Sequence, residues 1–251
     1  MSKKILITGA SSGFGKAMVY RFAKDGWNLV ITGRRADRLK ELSDEIKKSY
    51  KVDVSVKVFD VQNRDEVFSA LSADPNLNDL DILVNNAGLA LGRDYFDEAS
   101  LDDWETMIDT NLKGLLYVSK AVLPYFIKNG KGHIINIGST AGKEVYEKGN
   151  VYCATKTSVE AISQAMRIDI LRHQIKVTAI HPGAAETEFS IVRFKGDEAT
   201  AKTVYDGYQP LKAEDVADTA FYCANLPEHV CINSLVMTCT SQANSFYLLR
   251  K

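Results

Sequence analysis

The sequence predicts an α/β fold, a doubly wound Rossmann-like parallel sheet of about seven strands with helices on both faces. Short β-branched runs alternate with helical stretches, which is typical of βαβ units. The strand runs are apolar without alternation, as expected for parallel strands buried on both faces. The predicted strands are residues 5–8, 28–32, 54–59, 82–84, 133–137, 177–180 and 235–238. The predicted helices are residues 15–24, 36–49, 65–71, 101–128, 151–171 and 213–226.

Composition narrows the class of protein. The 251 residues include 31 Lys+Arg and 32 Asp+Glu, giving a net charge of −1, and 45% of them are hydrophobic. These values are typical of a globular chain and exclude disorder, collagen and coiled coil as descriptions of the whole. Because nucleic-acid binding requires a basic face, the near-zero net charge also argues against it.

The cysteines and the apolar runs indicate the compartment. The four cysteines have no CxxC spacing, so we expect free thiols in a reducing environment and neither a metal site nor disulfides. The apolar run after the first four residues stops after three, too short for a signal peptide, and no run suits a membrane span. We therefore expect a soluble, cytoplasmic protein that does not bind membranes.

We expect one domain over residues 1–251. The long irregular stretch is 183–211, which contains three glycines. Connections of this length inside a compact domain are usually functional, so we predict that the stretch is a substrate lid.

A glycine-rich turn between the first strand and the first helix is a candidate phosphate-binding site. Its glycines let the backbone approach a pyrophosphate, and the helix N-terminus offers free N–H groups. The spacing is G-x-x-x-G-x-G, which differs from the commoner G-x-G-x-x-G. The candidate residues are Gly9, Ser11, Ser12, Gly13, Phe14 and Gly15.

The end of the second strand predicts the cofactor. An acidic residue there would bind the ribose 2′-hydroxyl of NAD, whereas arginine accommodates the 2′-phosphate of NADP. Arg34 and Arg35 occupy this position, and a guanidinium pairs bidentately with phosphate oxygens. The sequence therefore predicts NADP.

Tyr152 and Lys156 are candidates for proton transfer, because a lysine one helical turn away can lower the high pKa of a tyrosine. Ser139 follows the fifth strand, at the edge where ligands of such sheets bind. Three other pairs share the Tyr–Lys spacing but lack this context: Tyr20 and Lys24, Tyr208 and Lys212, and Tyr247 and Lys251.

Three motifs together resemble the short-chain dehydrogenase/reductase superfamily: the glycine turn, the Asn-Asn-Ala-Gly of residues 85–88, and the Tyr-x-x-x-Lys pair. The resemblance extends over essentially the full length. Three further segments resemble the branch of NADP-dependent 3-hydroxy acid dehydrogenases that oxidise L-serine and L-allo-threonine. These segments are residues 104–111, 134–142 and 192–197.

The resemblance implies roles for individual residues. It makes Tyr152 the acid/base, Lys156 its electrostatic partner, Ser139 the substrate orienter and Asn111 a proton relay. It places Thr187 and Glu188 near the nicotinamide and the pyrophosphate, and it implies a homotetramer. Many NADP users of the family carry a basic residue where this chain has Ser12. The further cofactor contacts that it implies are Asp60, Val61, Asn86, Ala87, Gly88, Pro182 and Gly183.

The expected substrate is a small 3-hydroxy acid, whose buried carboxylate needs a cation or several N–H donors. Arg193 and Lys195 on the predicted lid are candidates, although solvated surface cations are an equally common reading. Four charged residues between Ser139 and Tyr152 depart from the small or aromatic residues expected there and predict a charged pocket wall. They are Lys143, Glu144, Glu147 and Lys148.

Two alternatives stay open. One is an NADPH-dependent reductase of larger carbonyls, such as 3-oxoacyl thioesters or steroids. Residues 231–237, however, do not match the glycine-rich ending expected of acyl-carrier-protein reductases. The other is a non-enzymatic NADP(H) sensor. A sensor would be expected to lose a proton-transfer residue, and this chain has all four.

Overall fold

The computed structural model describes residues 3–251, and a seven-stranded parallel sheet organises them. The strand order is β3-β2-β1-β4-β5-β6-β7. The predicted fold class is confirmed, with strand ends shifted by one or two residues. The strands are β1 (Lys4–Ile7), β2 (Asn28–Gly33), β3 (Val54–Val58), β4 (Ile82–Asn85), β5 (His133–Ile137), β6 (Lys176–Pro182) and β7 (Ser234–Met237).

Alternation of side chains along β1 shows why the strand runs are apolar throughout. Ile5 and Ile7 face one layer of core, whereas Leu6 faces the other, because successive residues of a strand point to opposite faces. All three side chains are fully buried. Helices cover both faces, so no position in this strand can be polar without losing buried apolar area.

Nine helices connect the strands over the described residues. Helices α1, α2 and α9 pack on one face of the sheet, and α3 and α5 pack on the other. The helices are α1 (Gly13–Lys24), α2 (Ala36–Ser49), α3 (Arg64–Leu71), α4 (Leu101–Ile108), α5 (Leu115–Asn129), α6 (Asn150–Asp169), α7 (Glu188–Arg193), α8 (Glu198–Thr203) and α9 (Ala213–Ala224).

The predicted helix over 101–128 is interrupted. A π-helical segment, Asp109–Gly114, separates α4 from α5. A π-helical turn inside an α-helix differs from its flanks only in the hydrogen-bond pattern of a few residues, and composition over the whole stretch does not separate it from them. In this segment Gly114 packs against Val61, where a Cβ would lie 2.8 Å from Cγ2 of the valine.

The stretch 183–211 is not irregular throughout, because it contains α7 and α8. Thr187 caps α7 by accepting a hydrogen bond from Phe189 N at 3.2 Å. Asp197 caps α8 by accepting one from Thr200 N at 3.1 Å. Helices of six residues are too short to show a period in the sequence, which is why they were missed.

Two further observations bear on the sequence predictions. The four cysteines are free, as expected from their spacing. Within residues 3–251, none of the helices combines the length and the apolar character that crossing a membrane would take.

Candidate active site

A cavity of about 530 Å³ lies at the carboxyl ends of the strands. Strand order reverses there between β1 and β4, the position at which open α/β sheets bind ligands. Most of the predicted site residues line the cavity, but Gly15, Asn111 and Lys195 do not. The lining members are Gly9, Ser11, Ser12, Gly13, Phe14, Arg34, Arg35, Asp60, Val61, Asn86, Ala87, Gly88, Ser139, Tyr152, Lys156, Pro182, Gly183, Thr187, Glu188 and Arg193.

The turn between β1 and α1 needs its glycines for two different reasons. Gly9 and Gly13 have φ values of +65° and +51°, which L side chains rarely adopt. Gly15 instead allows close packing, since a Cβ there would lie 2.3 Å from Gly9 O. Asn86 fixes the turn to the end of β4 by donating its side-chain amide to Thr8 O at 2.8 Å.

Arg35 links the end of β2 to the glycine turn. Its guanidinium donates to Ser11 Oγ at 2.9 and 3.0 Å and to Ser12 Oγ at 2.7 Å. Arg34 lies beside it, with Nη1 3.4 Å from Asp60 Oδ2 and a side chain that is 60% exposed. Two guanidinium groups therefore lie at the end of β2, next to the glycine turn, and their role in binding a 2′-phosphate stays a prediction.

Glu188, the first residue of α7, lines the cavity. Its carboxylate pairs with Arg35 at 3.0 Å and with Arg38 at 2.9 Å, which connects α7 to the end of β2. Partial burial raises the pKa of this carboxyl, but the two arginines outweigh burial and the net pKa is lowered. Thr187 is near the glycine turn, with its Cβ 3.6 Å from where a Cβ on Gly13 would be.

Tyr152 is buried on α6, and its side chain lies beside that of Ser139. Burial raises the pKa of Tyr152, while the Ser139 hydrogen bond and the Arg193 charge lower it by less. The pKa of Tyr152 is therefore higher than that of a free tyrosine, whereas the sequence predicted that Lys156 would lower it. Tyr152 therefore carries its proton in this structure.

Lys156 follows Tyr152 by one turn of α6 and is also buried. Its Nζ donates to Ile137 O at 3.0 Å, at the end of β5. Burial lowers the pKa of Lys156 to about 8, because an ammonium group loses hydration in the interior.

Asn111 is buried in the π-helical segment and does not make the local contact typical of a helical asparagine. Its Oδ1 accepts from Leu89 N at 2.8 Å, and its Nδ2 donates to Leu89 O at 2.8 Å. Nδ2 also lies 3.1 Å from Thr155 Oγ1 on α6. The side chain thus joins the loop after β4 to α6, and its relay role stays a prediction.

Arg193 reaches the cavity from the end of α7. Its Nη1 donates to Tyr146 Oη at 3.0 Å, and its Nε donates to Gly92 O at 3.3 Å. The guanidinium carbon lies 5.6 Å from the ring centroid of Tyr152. A cation therefore stands beside the proposed acid/base.

Sequence reasoning missed three further side chains that line this end of the cavity: Arg93, Tyr146 and Phe189. The Phe189 ring lies 5.7 Å from that of Tyr152. Phe189 directly follows Glu188 in the sequence, and this neighbouring position could have indicated that it belongs to the site. Tyr146 lies in the loop between Ser139 and Tyr152, where the four charged residues directed attention away from it.

The structure does not bring Lys195 into the cavity. Its Nζ pairs with Asp103 at 2.8 Å, and 60% of the side chain is exposed. Of the two cations considered as carboxylate partners, Arg193 lines the cavity and Lys195 does not.

The prediction that charged residues form one wall of the pocket is wrong. The loop between Ser139 and Tyr152 places Tyr146 in the cavity, while its four charged side chains have other partners. The pairs are Lys143 with Glu160, Glu144 with Ser245 N, Glu147 with Tyr95 Oη, and Lys148 with the Tyr95 ring.

Comparison with known proteins identifies the family. Residues 3–197 match the short chain dehydrogenase family model. The chain is 46% identical over 241 residues to the NADP-dependent 3-hydroxy acid dehydrogenase YdfG of Shigella flexneri, covering 95% of this chain and 96% of the relative. Sulfoacetaldehyde reductase 2 of Chromohalobacter salexigens is 46% identical over 249 residues, 98% of each chain.

A solved structure supports the same assignment. The closed form of serine dehydrogenase complexed with NADP+ superposes with a TM-score of 0.92 at 44% identity, covering 99% of each chain. The protein belongs to the short-chain dehydrogenase family. The family recognition made from the motifs is confirmed, and the 3-hydroxy acid dehydrogenase among its relatives is of the branch that the sequence resembles.

The burial of Lys156 makes stability depend on pH. The unfolded chain holds this proton up to its ordinary pKa of 10.5, whereas the folded protein releases it near 8. Between these values the unfolded state binds more protons, so the stability of the wild type rises with pH. We expect Lys156→Met to raise the free energy of unfolding by about 1–3 kcal/mol at pH 7, an advantage that fades between pH 8 and 10.5.

Urea unfolding at pH 7 and at pH 10 measures this effect. Lys47→Met on the exposed face of α2 is the matched control, and it should give no comparable pH-dependent difference. An advantage for Lys156→Met that is equal at both pH values would contradict the burial argument.

Proposed function

We propose that the protein is an NADP-dependent oxidoreductase that transfers a hydride between NADP(H) and the 3-hydroxyl of small 3-hydroxy acids, such as L-serine or L-allo-threonine. The observation that carries the proposal is the position of Arg193, 5.6 Å from the ring of Tyr152. One small molecule can place its hydroxyl at Tyr152 and its carboxylate at Arg193. The relatives named for 3-hydroxy acids and serine support this assignment.

The residues of the cleft fit NADP. The glycine turn leaves room that a side chain would fill, since a Cβ on Gly9 would lie 3.0 Å from Ala87 Cα. Cationic side chains outnumber the anionic Asp60 and Glu188, which favours a phosphate-bearing cofactor. The cationic lining residues are Arg34, Arg35, Arg93, Lys156, Arg193 and Arg250.

Each catalytic side chain has a role in the alcohol oxidation and its reverse. NADP+, when bound, accepts the hydride that leaves the carbon bearing the hydroxyl. Ser139 orients the substrate oxygen, and Tyr152 takes the hydroxyl proton during oxidation and returns it during reduction. The raised pKa of Tyr152 leaves a phenol ready for carbonyl reduction, whereas oxidation needs the nearby Lys156 charge to favour the phenolate.

We further propose that residues 183–211 act as a lid on a single catalytic domain. Helix α7 in this segment carries Glu188 toward the arginines of β2 and Arg193 toward Tyr146. Both contacts cross the cavity, so they hold the segment over it. Burial of the reacting groups under such a segment would exclude water from the hydride transfer.

A second candidate substrate class is the small sulfonate. The relative named sulfoacetaldehyde reductase aligns over 98% of this chain, and an arginine pairs with a sulfonate as well as with a carboxylate. Larger carbonyls are less favoured, because the rings of Phe189 and Tyr146 stand close to Tyr152.

We expect Arg193→Ala to raise KM for 3-hydroxypropanoate about 10–100-fold, since a hydrogen-bonded charge pair contributes about 1.5–3 kcal/mol. KM for the neutral 3-hydroxypropanamide should change little. Initial rates with NADP+ over both substrates, L-serine, L-allo-threonine and 2-hydroxyethanesulfonate measure the effect and rank the substrate classes.

The control is Tyr152→Phe, which should abolish turnover of every substrate and leave NADPH binding, followed by fluorescence, largely intact. Equal KM increases for the acid and the amide would remove Arg193 from carboxylate recognition. A wild-type enzyme that oxidises bulky neutral alcohols but no 3-hydroxy acid would overturn the substrate assignment.

The two arginines that directly follow β2 should determine cofactor preference. We expect the wild type to prefer NADP, and Arg34→Ala and Arg35→Ala each to lower kcat/KM for NADP about tenfold with little effect on NAD, by loss of a charge-assisted phosphate contact. Steady-state kinetics with both cofactors test this. Lys40→Ala, an exposed charge removal on α2, is the control. Equal or better efficiency of the wild type with NAD would refute the assignment.

We also propose a cytoplasmic homotetramer. The free thiols support the compartment. Exposed apolar side chains on the long helices support an interface, among them Ile127 on α5 and Ile168 on α6, exposed by 40% and 75%. Light scattering after size exclusion should give four times the chain mass of 27.8 kDa, and a monomer would contradict the assembly.

A further inference from the structure

A buried histidine lies beneath the loop that carries Ser139. His181, near the end of β6, is fully buried. Its Nδ1 lies 3.3 Å from Ser139 N and 3.1 Å from Ser139 O. A Cβ on Gly138 would lie 2.3 Å from the same Nδ1, so only glycine at 138 leaves room for the ring. The imidazole therefore contacts the backbone of the residue that orients the substrate.

The other ring nitrogen meets a carboxylate of α6. Nε2 of His181 lies 2.7 Å from Glu160 Oε2. Glu160 follows Tyr152 and Lys156 at successive four-residue steps on α6, so the three side chains share one face of the helix. The mechanism gives no role to Glu160 or to His181.

Glu160 is held in place by several donors besides the histidine. Its carboxylate accepts from Gln164 Nε2 at 2.7 Å, Lys143 Nζ at 3.1 Å and Ser234 Oγ at 3.2 Å. Partial burial raises the pKa of Glu160, but these hydrogen bonds and that of His181 outweigh it and lower the pKa to about 2. Glu160 is therefore a fixed anion across the whole working range of pH.

The charges around the ring decide where its proton resides. Burial and the Lys143 charge lower the pKa of His181, whereas its hydrogen bonds with Glu160 and with the Ser139 backbone, and the Glu160 charge, raise it by less, so the ring is neutral near pH 7. Glu160 on α6 and Lys143 before it are the charged groups that face this site. The turn after β5 contributes the backbone of Gly138 and Ser139. A neutral imidazole has one N–H, and the carboxylate requires it on Nε2.

We propose that His181 and Glu160 are positioning residues for Ser139, with Glu160 fixing the Nε2–H tautomer so that the lone pair of Nδ1 accepts the Ser139 N–H. The inference rests on the proposed oxidoreductase function. The opposite tautomer would let Nδ1–H donate to Ser139 O, 3.1 Å away, but it would place the lone pair of Nε2 against the Glu160 carboxylate at 2.7 Å, which repels it, and would leave Ser139 N–H without an acceptor on the ring. Ser139 would then lose the hydrogen bond that fixes its backbone, and with it the orientation of its hydroxyl.

The first experiment is a double-mutant cycle on kcat with 3-hydroxypropanoate and NADP+. We expect His181→Phe, which keeps a ring but removes both nitrogens, to lower kcat about 10–100-fold, as loss of alignment does. In a Ser139→Ala background the same change should cost less than about twofold, because the residue being positioned no longer has its hydroxyl. NADPH affinity should change less than about twofold in either background.

Two variants separate positioning from general damage. His181→Asn keeps an acceptor where Nδ1 stands and should recover most of the lost kcat. Gln164→Leu removes a hydrogen bond from the other oxygen of the same carboxylate and should leave kcat within about twofold of the wild type. An equal loss from His181→Phe with and without the Ser139 hydroxyl, or no rescue by asparagine, would overturn the proposal.

The second experiment does not depend on turnover. Nitrogen-15 NMR of the imidazoles, with His181 assigned by its loss in His181→Phe, should show Nε2 protonated in the wild type and Nδ1 at least partly protonated in Glu160→Leu. A wild-type ring protonated on Nδ1 alone would refute the tautomer. If the wild type oxidised no alcohol, the proposed function would fail, while this measurement would still decide the tautomer.

Discussion

One face of α6 packs across the carboxyl ends of β5 and β6, and the arrangement of the site depends on this contact. At 3.6 residues per turn, four-residue spacing keeps Tyr152, Lys156 and Glu160 on that face. Each side chain meets a different group of the sheet: the hydroxyl of Ser139, the carbonyl of Ile137 and the ring of His181. A shift of α6 by a single residue would rotate all three by about 100° and separate them from their partners.

Buried polar side chains of the sheet fix the position of α6 along β4 and β5. Asn85 on β4 donates to Asn136 Oδ1 on β5 at 2.9 Å, and Asn136 donates to Ser163 Oγ on α6 at 2.8 Å. A hydrogen-bonded chain in a dry interior tolerates no slippage, since each broken link leaves a buried polar group unsatisfied. These hydrogen bonds offset the free-energy cost of burying the Lys156 ammonium. That cost on its own would favour separation of the helix from the sheet.

Local sequence predicts the parts of the structure that depend on local patterns. Apolar runs predict the strands, and motifs a few residues long predict the glycine turn and the Tyr152–Lys156 pair. Contacts between distant residues leave no such pattern, and Glu160 and His181, 21 residues apart, gave no signal. The charged loop shows the converse error: charge indicates exposure but not direction, so Tyr146 lines the cavity while its charged neighbours pair with other groups.

Helix α7 connects the two ends of the cleft. Its six residues span only about 9 Å, and an isolated helix of that length is marginal in water. Its first residue, Glu188, binds the arginines at the proposed phosphate site, and its last, Arg193, binds Tyr146 at the proposed substrate site. Contacts at its two ends therefore stabilise the helix. A ligand bound at one end of α7 would either compete for the contact at that end or strengthen it. Cofactor and substrate would therefore both affect the stability of α7. In the proposed lid, the order of α7 thus couples cofactor binding to the shape of the substrate pocket.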